Sequence, residues 1–394
     1  MTKLRFLTAG ESHGKGLVGI IEGIPAGLSL LPEEIDRDLK RRQSGYGRGG
    51  RMKIEEDRAL ILSGVRWGRT LGSPISLTIE NRDWKNWQEG MSSDPSCEGS
   101  IPAVTRPRPG HADLAGVLKY GHRDVRDVIE RSSARETAMR VALGSIARKF
   151  LLHFGITVTS YVVQIGSVRL EASLAPPPAQ LSQEEVDRSP VRCPHGETSR
   201  EMTLLIDEAL RRGDSLGGVF MVVARGVPVG LGSHVHWDRR IDGRLSQALM
   251  SIQAIKGVEV GAGFGAASRF GSEVMDEIFC APQGGLLRAT NNAGGIEGGM
   301  TNGMPVLLRA AMKPIPTLRK PLRSVDLATG GPVEAAYERS DVCAVPAAAV
   351  IAEAMTALVL ADAVLEKHGG DSMEETERNL TSYLGSLKIP PDSP

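Results

Sequence analysis

The twenty residues from Pro346 to Leu365, PAAAVIAEAMTALVLADAVL, are apolar at almost every position. An α-helix of this composition has no polar face to turn toward water, so it must be buried in a large core or in an interface. Pro346 suits the first turn of a helix, and Gly369 and Gly370 suit its end. The chain must therefore supply enough other structure to cover a long helix on all sides.

The rest of the sequence alternates between short β-branched segments and amphipathic segments. Their periodicity predicts strands at 17–24, 60–65, 75–80, 156–168 and 218–224, and helices at about 32–42, 131–150, 202–210 and 245–252. The fold class is α/β or α+β, with helices packed between or against sheets. No linker divides the 394 residues, so we predict a single unit over 1–394, with 389–394 (IPPDSP) as a frayed tail.

The composition of the chain disfavours some classes of binding partner. The 47 basic and 47 acidic side chains cancel, and aromatic residues make up only 4% of the chain. Nucleic-acid binders usually carry a basic excess, and those that bind single strands need aromatic platforms, so we expect no nucleic acid partner. The start MTKLRFLTAGESHG lacks the hydrophobic stretch of a signal peptide, and no run of about 18 apolar residues is expected to span a bilayer. Four separated cysteines without metal-site spacing favour a reducing, cytoplasmic setting with no metal.

The segment from Arg41 to Arg51, RRQSGYGRGGR, places four arginines around four glycines. Arginine grips carboxylate or phosphate with a planar fork, and glycine lets the backbone approach a ligand closely. The segment therefore predicts a mobile loop that closes over a small polyanion. A solvated surface turn is the alternative for this segment taken alone.

Further turns rich in glycine or proline carry histidine and arginine. They are GESHGKG with His13, RPRPGHAD with Arg106, Arg108 and His111, RSSAR at 131–135, the loop 288–303, KPIPT at 313–317, and RSD at 339–341. Histidine titrates nearest neutral pH, so two histidines among cations are candidate acids. RSSAR is expected to open a helix whose hydroxyls and free N–H groups bind an anion. A capped loop or a satisfied core residue remains the alternative for each histidine. Asp341 is either an ion-pair partner of Arg339 or a base.

Three short motifs are rejected. GESHGKG has only three residues between its first glycine and the Gly-Lys pair, which differs from a phosphate-binding P-loop. GDSLGG at 213–218 resembles a serine-protease signature, but Leu216 interrupts it, so Ser215 is not expected to be a nucleophile. His234 and His236 lie on one face of an extended segment, yet no third ligand is nearby, and surface histidines are the simpler interpretation.

Taken together, the motifs resemble those of the chorismate synthase family. The matching segments follow the family's order along nearly the whole chain: GESHGKG (10–16), RRQSGYGRGGRM (41–52), RPRPGHAD (106–113), RSSARETAMRVA (131–142), GDSLGG (213–218), IKGVEVGAGF (255–264), NNAGGIEGGMTNG (291–303), KPIPT (313–317) and RSDVCAVPA (339–347). Each segment alone is weakly specific, but the set is highly specific.

The resemblance implies a reaction and a cofactor. Members of the family remove phosphate and the C6 proton from 5-enolpyruvylshikimate 3-phosphate to give chorismate, which requires reduced FMN although there is no net redox change. Two carboxylates and one phosphate on the substrate would account for the arginines, and a flat isoalloxazine ring for the loops of small residues. The protein's part is to orient and polarise the cofactor.

The resemblance also implies roles for individual residues. His111 would protonate or stabilise the departing phosphate, His13 would donate a proton near flavin N1, and Asp341 would take the proton relayed through flavin N5. The substrate's anionic groups would be held by Arg42, Arg48, Arg51, Arg108, Arg135 and Arg339, of which Arg42 and Arg48 would also contact NADP. FMN contacts would fall on Arg131, Ser132, Ser133, Gln253, Ala254, Gly298, Lys313, Pro314, Ile315, Pro316, Thr317 and Arg339.

The family fold implied is a β-α-β sandwich, with helices held between two sheets, assembled as a homotetramer. Some members reduce their own flavin with NADPH, and others depend on a separate flavin reductase; the compact length favours the dependent type. Two other functions remain open from the residues alone. One is an RNA-binding protein that uses the arginine–glycine segment, which the net charge disfavours, and the other is a flavoprotein reductase.

Overall fold

The computed structural model describes residues 3–49, 55–280, 286–338 and 340–387. The tail at 389–394, Arg51 and Arg339 lie outside the described residues. The helices are α1 (Pro32–Gln43), α2 (Asp113–Tyr120), α3 (Arg126–Ser132), α4 (Thr137–His153), α5 (Gln183–Arg188), α6 (Gly196–Arg212), α7 (Ile241–Met250), α8 (Gly271–Val274), α9 (Val345–His368) and α10 (Met373–Ser386).

The strands are mostly short. They are β1 (Arg5–Ala9), β2 (Gly16–Glu22), β3 (Leu60–Ile61), β4 (Val65–Arg66), β5 (Arg69–Thr70), β6 (Ile75–Glu80), β7 (Thr157–Ile165), β8 (Val168–Arg169), β9 (Gly218–Arg225), β10 (Ile255–Val260), β11 (Ile278–Cys280), β12 (Leu286–Arg288), β13 (Ile296–Glu297), β14 (Met300–Thr301), β15 (Val306–Met312), β16 (Arg323–Val325) and β17 (Pro332–Glu334).

Two antiparallel sheets form the framework. One has the strand order β1-β2-β6-β3, and the other has the order β10-β15-β9-β7-β8. In β2 the side chains of Leu17 and Ile21 are fully buried while those of Val18 and Ile20 are exposed, the alternation expected when a sheet covers a core on one face. The predicted mixture of helices and sheets is confirmed.

The apolar helix α9 lies at the centre of the core. It packs against α4 along much of its length, and also against α1, α7, β7 and β9, while α4 also contacts β2 and β6. Gly144 of α4 permits the close approach of α9, because a Cβ there would lie 2.4 Å from the Cβ of Ala354. Burial on all sides explains why almost every position of α9 is apolar.

We expected no segment long and apolar enough to span a bilayer. By length and composition alone, this expectation was wrong. Helix α9 is long and apolar enough to cross a membrane, with a mean hydropathy of 2.0 over its most apolar window. However, 94% of that window is buried inside the protein, as in the core helix of a soluble protein. Length and hydropathy do not distinguish a membrane helix from a helix enclosed by its own chain.

Glu353 is the centre of a charged cluster within this apolar core. Its side chain is fully buried and accepts hydrogen bonds from Arg41, Arg192 and Ser160. Burial by itself would raise the pKa of Glu353, but the surrounding arginines outweigh burial and lower it to about 2. Arg41, at the start of the arginine–glycine segment, is thus a structural residue of α1 and not part of a mobile loop.

The predicted helix over 131–150 was wrong at its start. Helix α3 ends at Ser132, a short 3-10 turn covers Ala134–Glu136, and α4 begins at Thr137. Ser133 is extended and its hydroxyl accepts a hydrogen bond from the backbone N–H of Arg135, which interrupts the helical pattern. RSSAR therefore joins two helices and does not open one.

Candidate active site

Arg42 and Arg135 converge on one buried carboxylate. Arg135 Nη1 donates to Asp57 Oδ1 at 2.5 Å, and Arg42 Nη1 lies 3.5 Å from Asp57 Oδ2. Burial and the positive charges of Arg48 and Arg135 lower the pKa of Arg42, whereas the negative charge of Asp57 raises it. The lowering effects are larger, and the pKa of Arg42 falls to about 10. Arg42, Arg48 and Arg135 meet the carboxylates of Asp57, Glu55 and Asp341 here, so a ligand anion would compete with these carboxylates for the guanidinium groups.

Arg135 Nη2 is a weakly paired donor. The Nε of Arg135 donates to Asn81 at 2.9 Å, while the buried Nη2 lies 3.7 Å from Glu55 Oε2 and makes no hydrogen bond within the described part of the chain. A buried guanidinium donor without a hydrogen bond is costly unless a ligand or water satisfies it. The geometry at Arg135 therefore fits an anionic ligand.

The loop that carries His13 lies against the same cluster. Asn81 accepts from Arg135 and donates to the backbone oxygens of Gly14, at 2.8 Å, and Glu11, at 3.1 Å. The predicted site residues His13 and Arg135 are thus connected through one amide side chain. The two motifs that contain them are about 120 residues apart in sequence.

His13 itself is held by a carboxylate. Its Nδ1 lies 2.9 Å from Glu130 Oε1, and its backbone N–H donates to Glu130 Oε2 at 2.8 Å. The indole ring of Trp87 packs beside the imidazole, with ring centroids 4.3 Å apart. His13 is consequently fixed in place, with its side chain 14% exposed.

Asp341 lies at the other side of Arg42, next to Arg48. Arg48 Nη1 donates to Asp341 Oδ2 at 2.7 Å, and the backbone N–H of Gly49 donates to Oδ1 at 2.7 Å. The predicted base is therefore an ion-pair partner, but of Arg48. Its proposed pairing with Arg339 concerns a residue outside the described part of the chain.

His111 shares a carboxylate with Arg108. His111 Nδ1 lies 2.6 Å from Asp113 Oδ1, and Arg108 makes a two-bond contact with the same side chain through Nε and Nη2. Burial would raise the pKa of Asp113, but His111 and Arg108 together hold it well below its usual range. An ionised Asp113 therefore holds both His111 and Arg108 in place.

The KPIPT turn lies against the His111 loop. Arg108 Nη1 donates to the hydroxyl of Thr317 at 3.1 Å, and Lys313 Nζ donates to the carbonyl of Gly110 at 2.5 Å. The hydroxyl of Ser215 donates to the carbonyl of Ile315 at 2.6 Å, so the serine of GDSLGG supports this turn. Pro314 and Pro316 lie within the same turn. The structure thus brings 313–317 together with 106–113.

Among the other residues predicted to contact FMN, Arg131, Ser132 and Ser133 lie at the α3–α4 junction. Arg131 donates to the carbonyls of Thr8 and Gly10, next to the His13 loop, and Ser133 Oγ accepts from Ser12 Oγ at 3.1 Å. Ser132 contacts only the carbonyl of Ile129, at 3.4 Å, among the described residues.

Gln253 and Ala254 connect this junction to the KPIPT turn. Gln253 Nε2 lies 3.5 Å from Glu136, and the carbonyl of Ala254 accepts from the N–H of Lys313 at 2.9 Å. Ala254 has a φ of +66°, a conformation that few residues other than glycine adopt without a compensating constraint. Gln253 Oε1 is buried and has no hydrogen-bond partner among the described residues.

Gly298 lies in the tight turn between β13 and β14, and the adjacent Gly299 accepts a hydrogen bond from the N–H of Ile241 at the start of α7. Gln253 follows the far end of α7, and a helix of this length spans about 15 Å. Gly298 and Gln253 therefore lie near opposite ends of α7.

Sequence reasoning missed the carboxylates and the ring that hold the predicted residues. Glu130 and Arg126 are four apart on α3, a helical spacing that could have been noticed, and Asp113 is the last residue of the quoted RPRPGHAD. Asp57, Asn81 and Trp87 lie in segments without a distinctive local pattern. No group of three His, Cys, Asp or Glu side chains within the described ranges could hold a metal ion.

Comparison with known proteins agrees with this arrangement. The family model described as "Chorismate synthase" matches residues 4–365. The chorismate synthase of Aquifex aeolicus is 58% identical over 391 residues, covering 98% of both chains. That of Symbiobacterium thermophilum is 60% identical over 393 residues, covering 98% of this chain and 99% of the relative. A crystal structure of chorismate synthase superimposes with a TM-score of 0.79 at 49% identity and covers 98% of both chains. The chain therefore belongs to the chorismate synthase family.

Proposed function

We propose that the chain eliminates phosphate from 5-enolpyruvylshikimate 3-phosphate to form chorismate, as a carbon–oxygen lyase of aromatic amino acid biosynthesis. The observation that carries the proposal is the convergence of Arg42, Arg48 and Arg135 around Asp57 and Asp341. A substrate with two carboxylates and one phosphate matches a pocket rich in arginine forks. Family membership supplies the reaction type.

Substrate anions would be held by the arginines of this pocket. Arg135 would offer Nη2, which makes no hydrogen bond among the described residues and lies 3.7 Å from Glu55, and Arg42 and Arg48 lie within electrostatic reach of each other. Arg108 would bind from the His111 side, and Arg51 and Arg339 complete the proposed set. An incoming carboxylate or phosphate would compete with Asp341 for Arg48.

Three residues would donate, hold or accept a proton during the elimination. His111, adjacent to Arg108, would donate to or hydrogen-bond the departing phosphate. His13 would hold a proton at the opposite wall of the pocket. Asp341, once Arg48 is drawn toward substrate, would have a free carboxylate oxygen to take up the proton lost from C6. Stabilisation of the leaving phosphate by preorganised cations lowers the barrier to C–O cleavage.

The residues present fit a flavin. Gln253 Oε1 is buried without a partner among the described residues, an acceptor that a ring N–H could satisfy, and Lys313 is a partly exposed cation nearby. The proposed contacts are Arg131, Ser132, Ser133, Gln253, Ala254, Gly298, Lys313 to Thr317 and Arg339. When bound, reduced FMN would supply electron density transiently to the substrate.

The source of reducing equivalents is a separate part of the proposal. A distinct flavin reductase would supply reduced FMN, with NADPH as the indirect reductant. Direct use of NADPH would place it on Arg42 and Arg48, but Arg42 is only 4% exposed. NADPH consumption by the purified chain with FMN and no reductase would contradict the proposed dependence.

We also propose that the chain forms a cytoplasmic homotetramer of β-α-β sandwiches, each a single unit. Helix α4 contacts the sheet of order β1-β2-β6-β3, and α9 contacts the sheet of order β10-β15-β9-β7-β8. These contacts support the sandwich. Several large apolar side chains are exposed between Phe264 and Ile278, among them Phe264 (82%), Phe270 (79%) and Ile278 (58%). An exposed apolar patch is typical of an interface, so we assign these side chains to one, and light scattering of the purified protein tests the tetramer.

The reaction is tested by incubating the purified chain with 5-enolpyruvylshikimate 3-phosphate and chemically reduced FMN without oxygen. We expect chorismate absorbance and phosphate release to rise together, and only when the flavin is reduced. Binding of FMN and substrate without either product would refute the proposed elimination.

A further inference from the structure

A buried carboxylate, Glu130, holds three different groups in one place. Its side chain is 1% exposed and contacts His13 Nδ1 through Oε1 at 2.9 Å, the His13 backbone N–H through Oε2 at 2.8 Å, and Arg126 Nη1 through Oε1 at 3.2 Å. The backbone carbonyl of Glu130 also accepts from the N–H of Ser12 at 2.9 Å. One helical residue therefore determines the position of the whole His13 turn.

Trp87 closes the other side of the imidazole. Its ring lies 4.3 Å from that of His13, at an interplanar angle of 31°, and the guanidinium of Arg126 lies 4.8 Å from the same indole. Arg126 thus contacts both Glu130 and Trp87. The imidazole is held between a carboxylate below its edge and an aromatic ring on its face, so it can neither rotate nor tilt freely.

This arrangement distinguishes the two ring nitrogens of His13. Nδ1 faces the carboxylate, which as an acceptor requires a proton on that nitrogen. No described residue hydrogen-bonds to Nε2, so this atom is available to a ligand. The hydrogen bond at one nitrogen sets the state of the other.

Glu130 remains ionised at neutral pH. Burial would raise its pKa, but the hydrogen bond and charge of His13, together with Arg126, hold the pKa of Glu130 below its usual value. Within the described ranges, the charged groups beside this pair include Arg126 on α3 and Glu338, which lies 3.6 Å from Arg126. Glu11 and Lys15 are near His13 in sequence, in the same loop.

From this geometry we infer that Glu130 is a positioning residue for the elimination, which fixes His13 with Nδ1 protonated and leaves Nε2 to exchange protons with the bound ligands. Trp87 assists as the wall that prevents the ring from tilting away. The inference rests on the proposed function, because it assigns a role within the same site.

The main test replaces the carboxylate with an amide of the same shape, Glu130→Gln. We expect kcat to fall about 10-fold to 100-fold, at or below the lower limit of what one general acid or base contributes, while KM changes by less than about 3-fold. The alkaline limb of the pH–rate profile should move to lower pH, because loss of the negative partner disfavours the charged imidazole. Glu130→Asp, which retains the charge, should restore the wild-type profile and part of kcat.

A matched control is available elsewhere in the chain. His153 and Glu377 form an exposed pair, with Nε2 and Oε2 3.4 Å apart. Glu377→Gln makes the same chemical change beside a histidine outside the site, and we expect it to leave kcat and the pH profile unchanged. A loss from Glu130→Gln with no loss from Glu377→Gln assigns the effect to the site.

Trp87→Leu keeps the buried ion pairs intact. It is the second variant to measure if Glu130→Gln does not fold. It should lower kcat about 3-fold to 10-fold, since small displacements of an acid–base group weaken catalysis. Wild-type kcat and pH profile in folded Glu130→Gln would overturn the inference. If that variant is unfolded, the same result in both Glu130→Asp and Trp87→Leu would overturn it.

A readout independent of turnover separates this inference from the proposed function. Nitrogen-15 spectra of labelled histidine, assigned to His13 by comparison with His13→Gln, should report a proton on Nδ1 in the wild type. In Glu130→Gln that preference should be lost. If the wild type shows the preference yet performs no elimination, the proposed function fails while the positioning of His13 stands. An equal tautomer mixture in the wild type overturns the inference.

Discussion

Arg48 and Asp341 form an ion pair in which Nη1 and Oδ2 are 2.7 Å apart, while the N–H of Gly49 binds the second carboxylate oxygen at 2.7 Å. The pair joins the arginine–glycine segment to the turn that precedes α9. Both oxygens of Asp341 are therefore occupied, and binding of a substrate anion by Arg48 would release one of them. Substrate binding and activation of the base would thus be coupled through a single salt bridge.

Replacing Asp341 with asparagine keeps its shape but removes its capacity to accept a proton. We expect Asp341→Asn to lower kcat by about 100-fold or more, as for loss of a general base, while FMN affinity changes little. Stopped assays of phosphate release and a flavin fluorescence titration measure the two quantities. Asp238→Asn, in an exposed pair with His236, is the control and should have no effect. Loss of FMN binding in step with turnover would show that Asp341 is structural.

Replacing Arg135 with lysine keeps the charge but removes the fork. Arg135 Nε and Nη1 are used by Asn81 and Asp57, and the buried Nη2 lies 3.7 Å from Glu55 without a hydrogen bond, so a lysine cannot make all three contacts. We expect Arg135→Lys to raise the substrate KM about 10-fold to 100-fold, the cost of one charge-assisted hydrogen bond. Initial rates across substrate concentration measure it. Arg212→Lys, on the exposed end of α6, is the matched control, and an unchanged KM for Arg135→Lys would remove Arg135 from the substrate site.

Replacing Ser215 tests whether its hydroxyl is structural or acts as a nucleophile. Its hydroxyl donates to the carbonyl of Ile315, and its loss should cost about 1 kcal/mol of the free energy of unfolding. Ser215→Ala should therefore retain measurable elimination, with at most a modest loss of FMN affinity as the KPIPT turn loosens. Complete loss of turnover in a folded variant with normal FMN affinity would restore the rejected nucleophile.

Glu353 makes stability depend on pH. Its pKa is lowered from 4.5 to about 2 in the folded protein, so it stabilises the fold above about pH 4.5, and this contribution is lost as pH falls from 4.5 toward 2. We expect Glu353→Gln to lower the free energy of unfolding at pH 7 by about 3 kcal/mol, because Arg41 and Arg192 would lose the fully buried carboxylate that they share and keep only Asp38 and Asp187 as partners. Urea unfolding at several pH values measures both effects.

The control for Glu353 is Glu208→Gln, which breaks an exposed pair with Arg212 and should cost less than about 1 kcal/mol. Two results would show that the buried ion cluster is not a major source of stability. One is a Glu353→Gln variant as stable as the wild type, and the other is a variant whose stability falls with acid as steeply as that of the wild type.

Periodicity was sufficient to predict the central helix and some strands of each main sheet, but it did not predict β1, β10 or β15. The helix from Pro346 is confirmed as α9, and the segments 75–80 and 218–224 are confirmed as β6 and most of β9. It failed at 131–150, because the hydroxyl of Ser133 caps a new turn inside a pattern that remains apolar at helical spacing. Local hydrogen bonds of this kind do not alter hydrophobic periodicity.

By itself, the sequence determined that an apolar helix must be enclosed. It also predicted an anionic ligand and supplied the candidate arginines and histidines. Only the tertiary structure decided how adjacent arginines divide their roles. Arg41 faces the core and Glu353, whereas Arg42, one residue later on α1, faces Asp57 and Arg135. Successive residues on a helix point about 100° apart, so the layers packed on each side of α1 decide which guanidinium stabilises the fold and which meets the ligand.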